Sequence, residues 1–296
     1  MHTPNPVSEE ARRSGEPVFR EVGVGPWAEA HPGEPRPDDP ASLSYDARYD
    51  TALLDGGDRR NVLDRYRYWS VAAIKADLDA AGRHDFEVAV ENWTHDFNIG
   101  SMVRTANAFQ ARRVHIVGPH KWNRKGALMT ELYSHVEHHP SIAELVRCWR
   151  HRIAGEIAWE RSAAAAASLR AHALANGSDA FDASDGAPAD ETSRRHAASE
   201  AAALVAAHDA RIRELEAARV IALDIIPGAV PMETYAFPKR CLLLFGAEGP
   251  GLSEKALELA DDVVYISQFG SVRSINAGAA AAVAMHAWIA QHAVIG

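Results

Sequence analysis

Apolar residues alternate with polar ones at Phe86-Glu-Val-Ala-Val-Glu91, a period of two that predicts a β-strand. The period then changes. Ile99, Met102, Val103, Ala106 and Phe109 fall on one stripe of a helix expected from Ile99 to Gln110. Val114-His-Ile-Val-Gly118 reads as a buried strand, and Ser141 is placed to cap a helix running to about Arg152. Strands are expected at Arg219–Asp224, Cys241–Phe245 and Asp262–Ser267. The run Cys241-Leu-Leu-Leu-Phe245 has the unbroken apolar character of a strand covered on both faces. Helices are expected over Ser253–Ala260 and Ile275–His292. Repeated strand–helix units of this size predict an α/β fold with a mostly parallel sheet.

Three stretches break the pattern. Residues 1–45 are rich in Pro, Gly, Glu and Asp, lack a sustained apolar period, and read as a poorly ordered acidic tail. Residues 46–84 read as a helical extension, with Val62, Tyr66, Trp69, Ile74 and Leu78 spaced for one or two helices. Residues 155–218 are about one-third alanine, interrupted by Asn176-Gly-Ser-Asp and by Asp182–Asp190. They read as an inserted helical hairpin with an acidic loop, interrupting a domain that spans 85–296.

Composition narrows the class. The chain has 296 residues, 47% of them hydrophobic and 24% charged, as in soluble globular proteins. The longest apolar run, Ala277–Ala290, falls short of a bilayer span. No basic segment followed by an apolar one opens the sequence, and Cys148 and Cys241 lie far apart without a CxxC partner. These features set the expectation of a cytoplasmic protein without disulfides. The formal charge of −9 hides an asymmetry. Residues 1–55 hold 11 acids against 5 bases, and residues 176–219 hold 9 against 5, whereas residues 98–152 hold 9 bases, 3 acids and six histidines. The middle of the chain is therefore a candidate surface for a polyanion.

Unusual residues gather at three strand-to-helix junctions, where open parallel sheets bind ligands. The first is Asn98-Ile-Gly100-Ser-Met-Val-Arg104. Asn98 is a helix-capping type, and Arg104 is long enough to lean back toward the helix start and form an anion site with its free amides. The second is Gly246-Ala-Glu248-Gly249-Pro-Gly251-Leu-Ser253, whose glycine spacing is not that of a dinucleotide fold and is followed by no Walker lysine. The third is Ser267-Gln-Phe-Gly270-Ser-Val-Arg273-Ser274-Ile-Asn276, where Ser274 is the expected helix cap. No GxSxG elbow is present, and the histidine cluster His135-Val-Glu-His138-His139 lacks the HExxH order, so neither a hydrolase triad nor a metal is expected.

Taken in order, N-x-G-x-x-x-R, G-x-E-G-x-G-L-S and S-x-N opening an alanine-rich helix resemble the three motifs of the SpoU, or TrmH-like, branch of the SPOUT RNA methyltransferases. The resemblance covers about residues 86–152 and 219–296; it departs at Ile275-Asn276-Ala277, where the family commonly has Leu-Asn-Val. It implies 2′-O-methylation of ribose in a structured RNA, tRNA or rRNA, from S-adenosyl-L-methionine, with a C-terminal trefoil knot and a homodimer. It makes Arg104 the catalytic residue, oriented with the ribose by Asn98, Glu248, Ser274 and Asn276. It also implies a cofactor on Leu223, Gly246, Glu248, Gly249, Ile266 and Gln268, with Ile275 against the adenine. Lys121, Trp122, Arg124 and Lys125 then become the candidate RNA surface, Trp122 by base stacking. A non-catalytic RNA-binding or assembly factor on the same fold is the competing expectation, and a nucleotide-binding oxidoreductase is disfavoured by the glycine spacing.

Overall fold

The computed structural model describes residues 5–16, 22–93, 98–176, 191–247, 249–272 and 274–294. It contains two compact units, Met1–Ala80 and Ala81–Gly296. No described helix is long and apolar enough to cross a membrane.

The first unit contains helices α1 (Pro6–Arg13), α2 (Trp27–Ala30), α3 (Thr51–Gly56) and α4 (Val71–Ala80). The expected boundary at residue 45 does not appear. Val24 forms an antiparallel bridge with Asp58, and the Tyr68 hydroxyl donates to the Gly25 carbonyl at 2.6 Å. The anchor is polar: Asp58, fully buried, accepts from Arg60 Nε at 2.8 Å, Arg60 Nη2 at 2.7 Å and the Tyr68 amide at 3.0 Å. A carboxylate with this many donors holds a segment that apolar periodicity cannot reveal. The stretch 58–81 yields one short 3₁₀ turn, Asp64–Tyr66, and α4.

The second unit is built on a seven-stranded sheet. Its strands are β1 (His84–Glu91), β2 (Ala111–Val117), β3 (Val136–His139), β4 (Arg219–Leu223), β5 (Val230–Pro231), β6 (Cys241–Phe245) and β7 (Asp262–Tyr265), in the order β3-β2-β1-β6-β4-β7-β5. Every pairing is parallel. Helices α5 (Ile99–Ala108), α6 (Thr130–Tyr133), α7 (Ile142–Ala175), α8 (Glu191–Glu216), α9 (Glu254–Leu259) and α10 (Ala277–His292) complete it. Alternation along β6 separates two cores. Cys241, Leu243 and Phe245 pack with Met102, Val103, Ala281, Met285 and Trp288 of α5 and α10. Leu242 and Leu244 pack with Leu145, Val146, Trp149 and Ala256 of α7 and α9. Both faces of the sheet are thereby covered, as a parallel sheet requires.

The alanine-rich segment differs from its expected form. Ser141 caps α7 as expected, accepting from the Glu144 amide at 3.2 Å, but the helix then runs unbroken for 34 residues. Ile142 to Ile153 bury their apolar side chains, and no residue of α7 beyond Ile153 is buried. The boundary expected at 155 is thus a change in burial and not a break in the backbone. α8 packs beside α7 through ion pairs such as Arg161–Glu216 at 2.8 Å and His208–Glu160 at 2.6 Å. The acidic loop expected between them lies largely outside the described residues.

A charged network joins this helical pair to the sheet. Asp85 is bonded to Arg112 and Arg211, and Glu156 to Arg112 and Arg240. Glu87, fully buried, lies 2.8 Å from the equally buried Arg240 and 2.7 Å from His115 Nε2. The Arg240 contact is an ion pair without hydrogen-bond alignment, since Glu87 Oε1 receives no aligned donor. Burial alone would raise the Glu87 pKa; the His115 hydrogen bond and the Arg240 and Arg152 charges outweigh it and bring it from 4.5 down to about 2. A carboxylate lowered in the folded state contributes stability that is present above 4.5 and is lost as pH falls toward about 2. Denaturant unfolding followed by circular dichroism is expected to show stability falling through that window. Glu87→Gln is expected to be less stable at pH 7 by about 3 kcal/mol, because the buried Arg240 keeps only the partly exposed Glu156, and to show a shallower acid slope. An unchanged acid slope would remove Glu87 from this role.

Candidate functional site

The carboxyl ends of β4, β6 and β7 release three loops around a cavity of about 520 Å³. Leu223, Gly246, Gly249, Ile266, Gln268 and Ile275 all line it, and so do Ser274 and Asn276. Glu248, expected among them, lies outside the described residues. The volume lies within the range of small-ligand pockets, about 300–1,000 Å³. Its walls combine the aliphatic side chains of Leu223, Ile225, Val264, Ile266 and Ile275 with glycine backbone. One acceptor stands ready: Gln268 Oε1 is buried without a hydrogen-bond partner among the described residues. Leaving such an atom unsatisfied is costly, which favours a ligand donor beside it.

The Gly246–Ser253 turn is tightly made. Ala247 and Gly251 exchange backbone hydrogen bonds at 3.1 and 3.0 Å, and Gly251 has φ 76°. Ser253 caps α9 and is itself held from β1. Glu91, at the carboxyl end of that strand and 1% exposed, accepts from the Ser253 amide at 2.7 Å and from its hydroxyl at 2.8 Å. Its Oε1 also accepts from the Trp93 indole at 2.9 Å. No role for Glu91 follows from the sequence pattern. The available signal is a carboxylate ending an apolar strand, which must find donors once buried.

The first and third motifs meet directly. Asn98 is a capping type by composition, yet its backbone is already helical (φ −78°, ψ −18°) and its side chain makes no cap. Its Oδ1 accepts instead from Asn276 Nδ2 at 2.9 Å. Asn276, and not Ser274, caps α10: its Oδ1 accepts from the Ala279 amide at 3.1 Å. Ser274 and Ile275 stay in the loop because the helix begins only at Ala277. The approach of α10 to α5 depends on Gly278, where a Cβ would lie 2.7 Å from Ser101 Oγ and 3.2 Å from Asn276 Oδ1.

Arg104 is not in the cavity wall. It stands on the solvent side of α5, one turn beyond Ser101, and makes no ion pair or hydrogen bond with any described residue. The basic loop lies against the start of the same helix. A Cβ on Gly100 would meet Gly126 Cα at 2.8 Å and the Ala127 amide nitrogen at 2.9 Å. Lys121, Arg124 and Lys125 are exposed there and carry no ion pair among the described residues. Trp122 corrects its expected role. Only 9% exposed, it belongs to the core beneath the loop, with the Arg124 guanidinium 6.0 Å above its ring, so it offers no face to a base. Its charged neighbours in sequence conceal an anchor that is apolar.

Residues 154–286 match the model of the SpoU rRNA Methylase family, a span that holds the second and third motifs and not the first. An 81-residue stretch, 27% of this chain, is 33% identical to the tRNA (guanosine(18)-2′-O)-methyltransferase of Saccharomyces cerevisiae (strain ATCC 204508 / S288c); it spans 6% of that curated relative. Among solved structures, the SpoU methyltransferase AviRb from Streptomyces viridochromogenes, in complex with AdoMet, is 21% identical with a TM-score of 0.46, over 73% of this chain and 64% of that one. The A. aeolicus TrmH/SpoU tRNA modifying enzyme is 14% identical with a TM-score of 0.47, over 75% and 81%. The three motifs stand at the ends of β1, β6 and β7 of a parallel sheet, and across the last two of them the chain is similar to the SpoU rRNA Methylase family.

Proposed function

We propose that this protein transfers a methyl group from S-adenosyl-L-methionine to the 2′-hydroxyl of a ribose in a structured RNA. The observation that carries the reading is the Asn98–Asn276 junction. It joins the cavity wall to the helix that bears Arg104, which has no ion pair or hydrogen bond among the described residues, beside a loop whose Lys121, Arg124 and Lys125 form no ion pair among them. The cavity suits such a cofactor: aliphatic Leu223, Ile266 and Ile275 for an aromatic base, glycine backbone for close approach, and Gln268 Oε1 for a donor. When bound, the cofactor supplies an electrophilic methyl group on a sulfonium. The chain's own residues orient the acceptor and steady the charge that develops on it. Asn98 and Asn276 are bonded to one another, which holds Asn276 in a defined orientation in the cavity wall. Arg104 acts by binding phosphate and stabilising the emerging alkoxide.

The reading extends to a trefoil-knotted C-terminal half, a homodimer and a cytoplasmic setting. The tight return at Gly246–Gly251 supports the first. Exposed apolar residues Phe269, Val272 and Val283 support the second, and two free cysteines the third. Incubation with isotopically labelled S-adenosyl-L-methionine and transfer or ribosomal RNA, followed by nucleoside analysis, tests the activity. The expected product is a 2′-O-methylnucleoside; label confined to bases, or no label with either RNA, would overturn the reading.

Electrostatics give a separate prediction. RNA affinity is expected to fall steeply with salt, because each cation placed on a phosphate releases counterions. Replacing Lys121, Arg124 and Lys125 together by alanine is expected to weaken binding and to flatten the log–log salt slope by up to about three units. Cofactor binding is expected to stay unchanged, since none of the three lines the cavity. Binding isotherms at several salt concentrations check this, and an unaltered slope would place the RNA elsewhere.

A further inference from the structure

The register of the edge strand β3 and its neighbour β2 brings together side chains that lie far apart in sequence. β2 and β3 pair in parallel with His115 beside Glu137 and Val117 beside His139. Glu137 and His139 are two residues apart on one strand, so both emerge on the face that carries His115. His115 Nδ1 lies 3.0 Å from His139 Nε2 and 3.5 Å from Glu137 Oε2, and His139 Nε2 lies 3.6 Å from the same oxygen. Around an ion held tetrahedrally at about 2.0–2.1 Å from each donor, neighbouring donor atoms stand about 3.3–3.4 Å apart. The three atoms therefore outline one face of such a tetrahedron.

The surroundings suit a ligand histidine. Glu87 Oε2 lies 2.7 Å from His115 Nε2. A carboxylate only accepts, so Nε2–H donates to it, and in the neutral ring Nδ1 turns its lone pair toward His139 and Glu137. A carboxylate on the far nitrogen is the support that orients metal-ligating imidazoles. His115 and Glu87 are both fully buried, which holds the ring in place. Glu137 is about one-third exposed and leaves a solvent side open to an entering ion.

We propose that His115, His139 and Glu137 form a zinc-binding site that fastens the edge strand β3 to β2, with solvent as the fourth ligand. Two imidazoles and one carboxylate suit a borderline ion and are a poor set for magnesium or calcium. The site has a built-in competitor. Arg152 Nη1 lies 3.1 Å from Glu137 Oε2, the oxygen that would turn to the ion, and its Nη2 lies 3.3 Å from Glu87 Oε2. Arg113 holds the other Glu137 oxygen at 2.8 Å and leaves Oε2 available. Zinc binding thus requires the partly exposed Arg152 to yield, so Arg152 sets the affinity.

The test uses the full chain, stripped with a chelator and titrated with zinc chloride by calorimetry, then with cobalt(II) for its tetrahedral ligand-field absorption. One ion per chain is expected, with a Kd in the micromolar range or below. Glu137→Gln and His139→Gln are each expected to weaken binding at least about tenfold, the effect of losing a ligand. His138→Gln, exposed and on the opposite face of β3, is expected to leave it unchanged. Arg152→Ala is expected to tighten binding several-fold, an outcome that general damage to the fold cannot produce. Zinc is expected to raise the thermal midpoint of the wild type and not that of His139→Gln. No binding below about 100 μM, affinity indifferent to Glu137→Gln and His139→Gln, or weaker binding in Arg152→Ala would overturn the assignment.

Discussion

Arg104→Ala is expected to lower the rate of methyl transfer by about a hundredfold to a thousandfold, the usual effect of removing one charge-stabilising donor from a transition state. The fold is expected to stay intact. Arg104 is exposed and bonded to no described residue, and such surface changes alter stability by no more than about 0.5 kcal/mol. Cofactor affinity is expected to hold as well, because Arg104 does not line the cavity. The loss should therefore appear in single-turnover rates at saturating cofactor and RNA, with a smaller effect on RNA affinity. Arg104→Lys separates two ways the residue could act. A lysine keeps the charge and loses the planar fork, so partial activity would point to a charge effect and full loss to bidentate positioning. A general base would behave differently from either, giving a rate that rises with pH through the neutral range. A variant retaining more than about a tenth of the wild-type rate would remove Arg104 from the mechanism.

The strands β1, β2, β4, β6 and β7 are legible in sequence because each carries an apolar run closed by a glycine or polar turn, Cys241–Phe245 most plainly; β3, Val-Glu-His-His, and the two-residue β5 carry no such run and are not. The three ligand loops are legible for the same reason, since each follows such a strand. What is not legible is long-range and polar. Asn98 and Asn276 are both capping types, and only their meeting across 178 residues decides that one caps a helix while the other accepts from it. Glu91 gains its role from Ser253, 162 residues away. Trp122 sits among charges in sequence and inside the core in space. The N-terminal segment reads as a tail in sequence because its order depends on Asp58 and Arg60, not on apolar spacing. The helical pair α7–α8 shows the converse. Its high alanine content predicts helix correctly but hides where the core ends, because alanine reads alike buried or exposed.

Gly246→Ala is expected to abolish measurable cofactor binding while leaving the sheet folded. Gly246 follows β6 directly, and an added Cβ would lie 2.1 Å from Gly251 C, 2.3 Å from Gly251 O and 2.3 Å from Leu252 N. All three are backbone atoms, so no side-chain rotation relieves the overlap. The turn cannot simply widen. Ala247 and Gly251 are bonded to each other, Leu252 is buried against the α7–α9 core, and Ser253 is fixed by the buried Glu91. Something in that chain must break, and the loop that faces the cavity moves with it. Forcing a methyl into a site of this kind costs about 1–3 kcal/mol of stability, small enough for the sheet to survive. Gly249→Ala is the informative companion. Gly249 has φ 94°, which an alanine adopts only with strain, yet nothing lies within 4 Å of its added Cβ. Its cost is local, about 1–2 kcal/mol, and its cofactor affinity is expected to fall by about tenfold or less. Calorimetric titration with S-adenosyl-L-methionine, alongside thermal unfolding, distinguishes the two. If Gly246→Ala binds the cofactor as tightly as Gly249→Ala does, the close return of the turn is not what shapes the cavity, and the Glu91–Ser253 clamp has no part in holding it open.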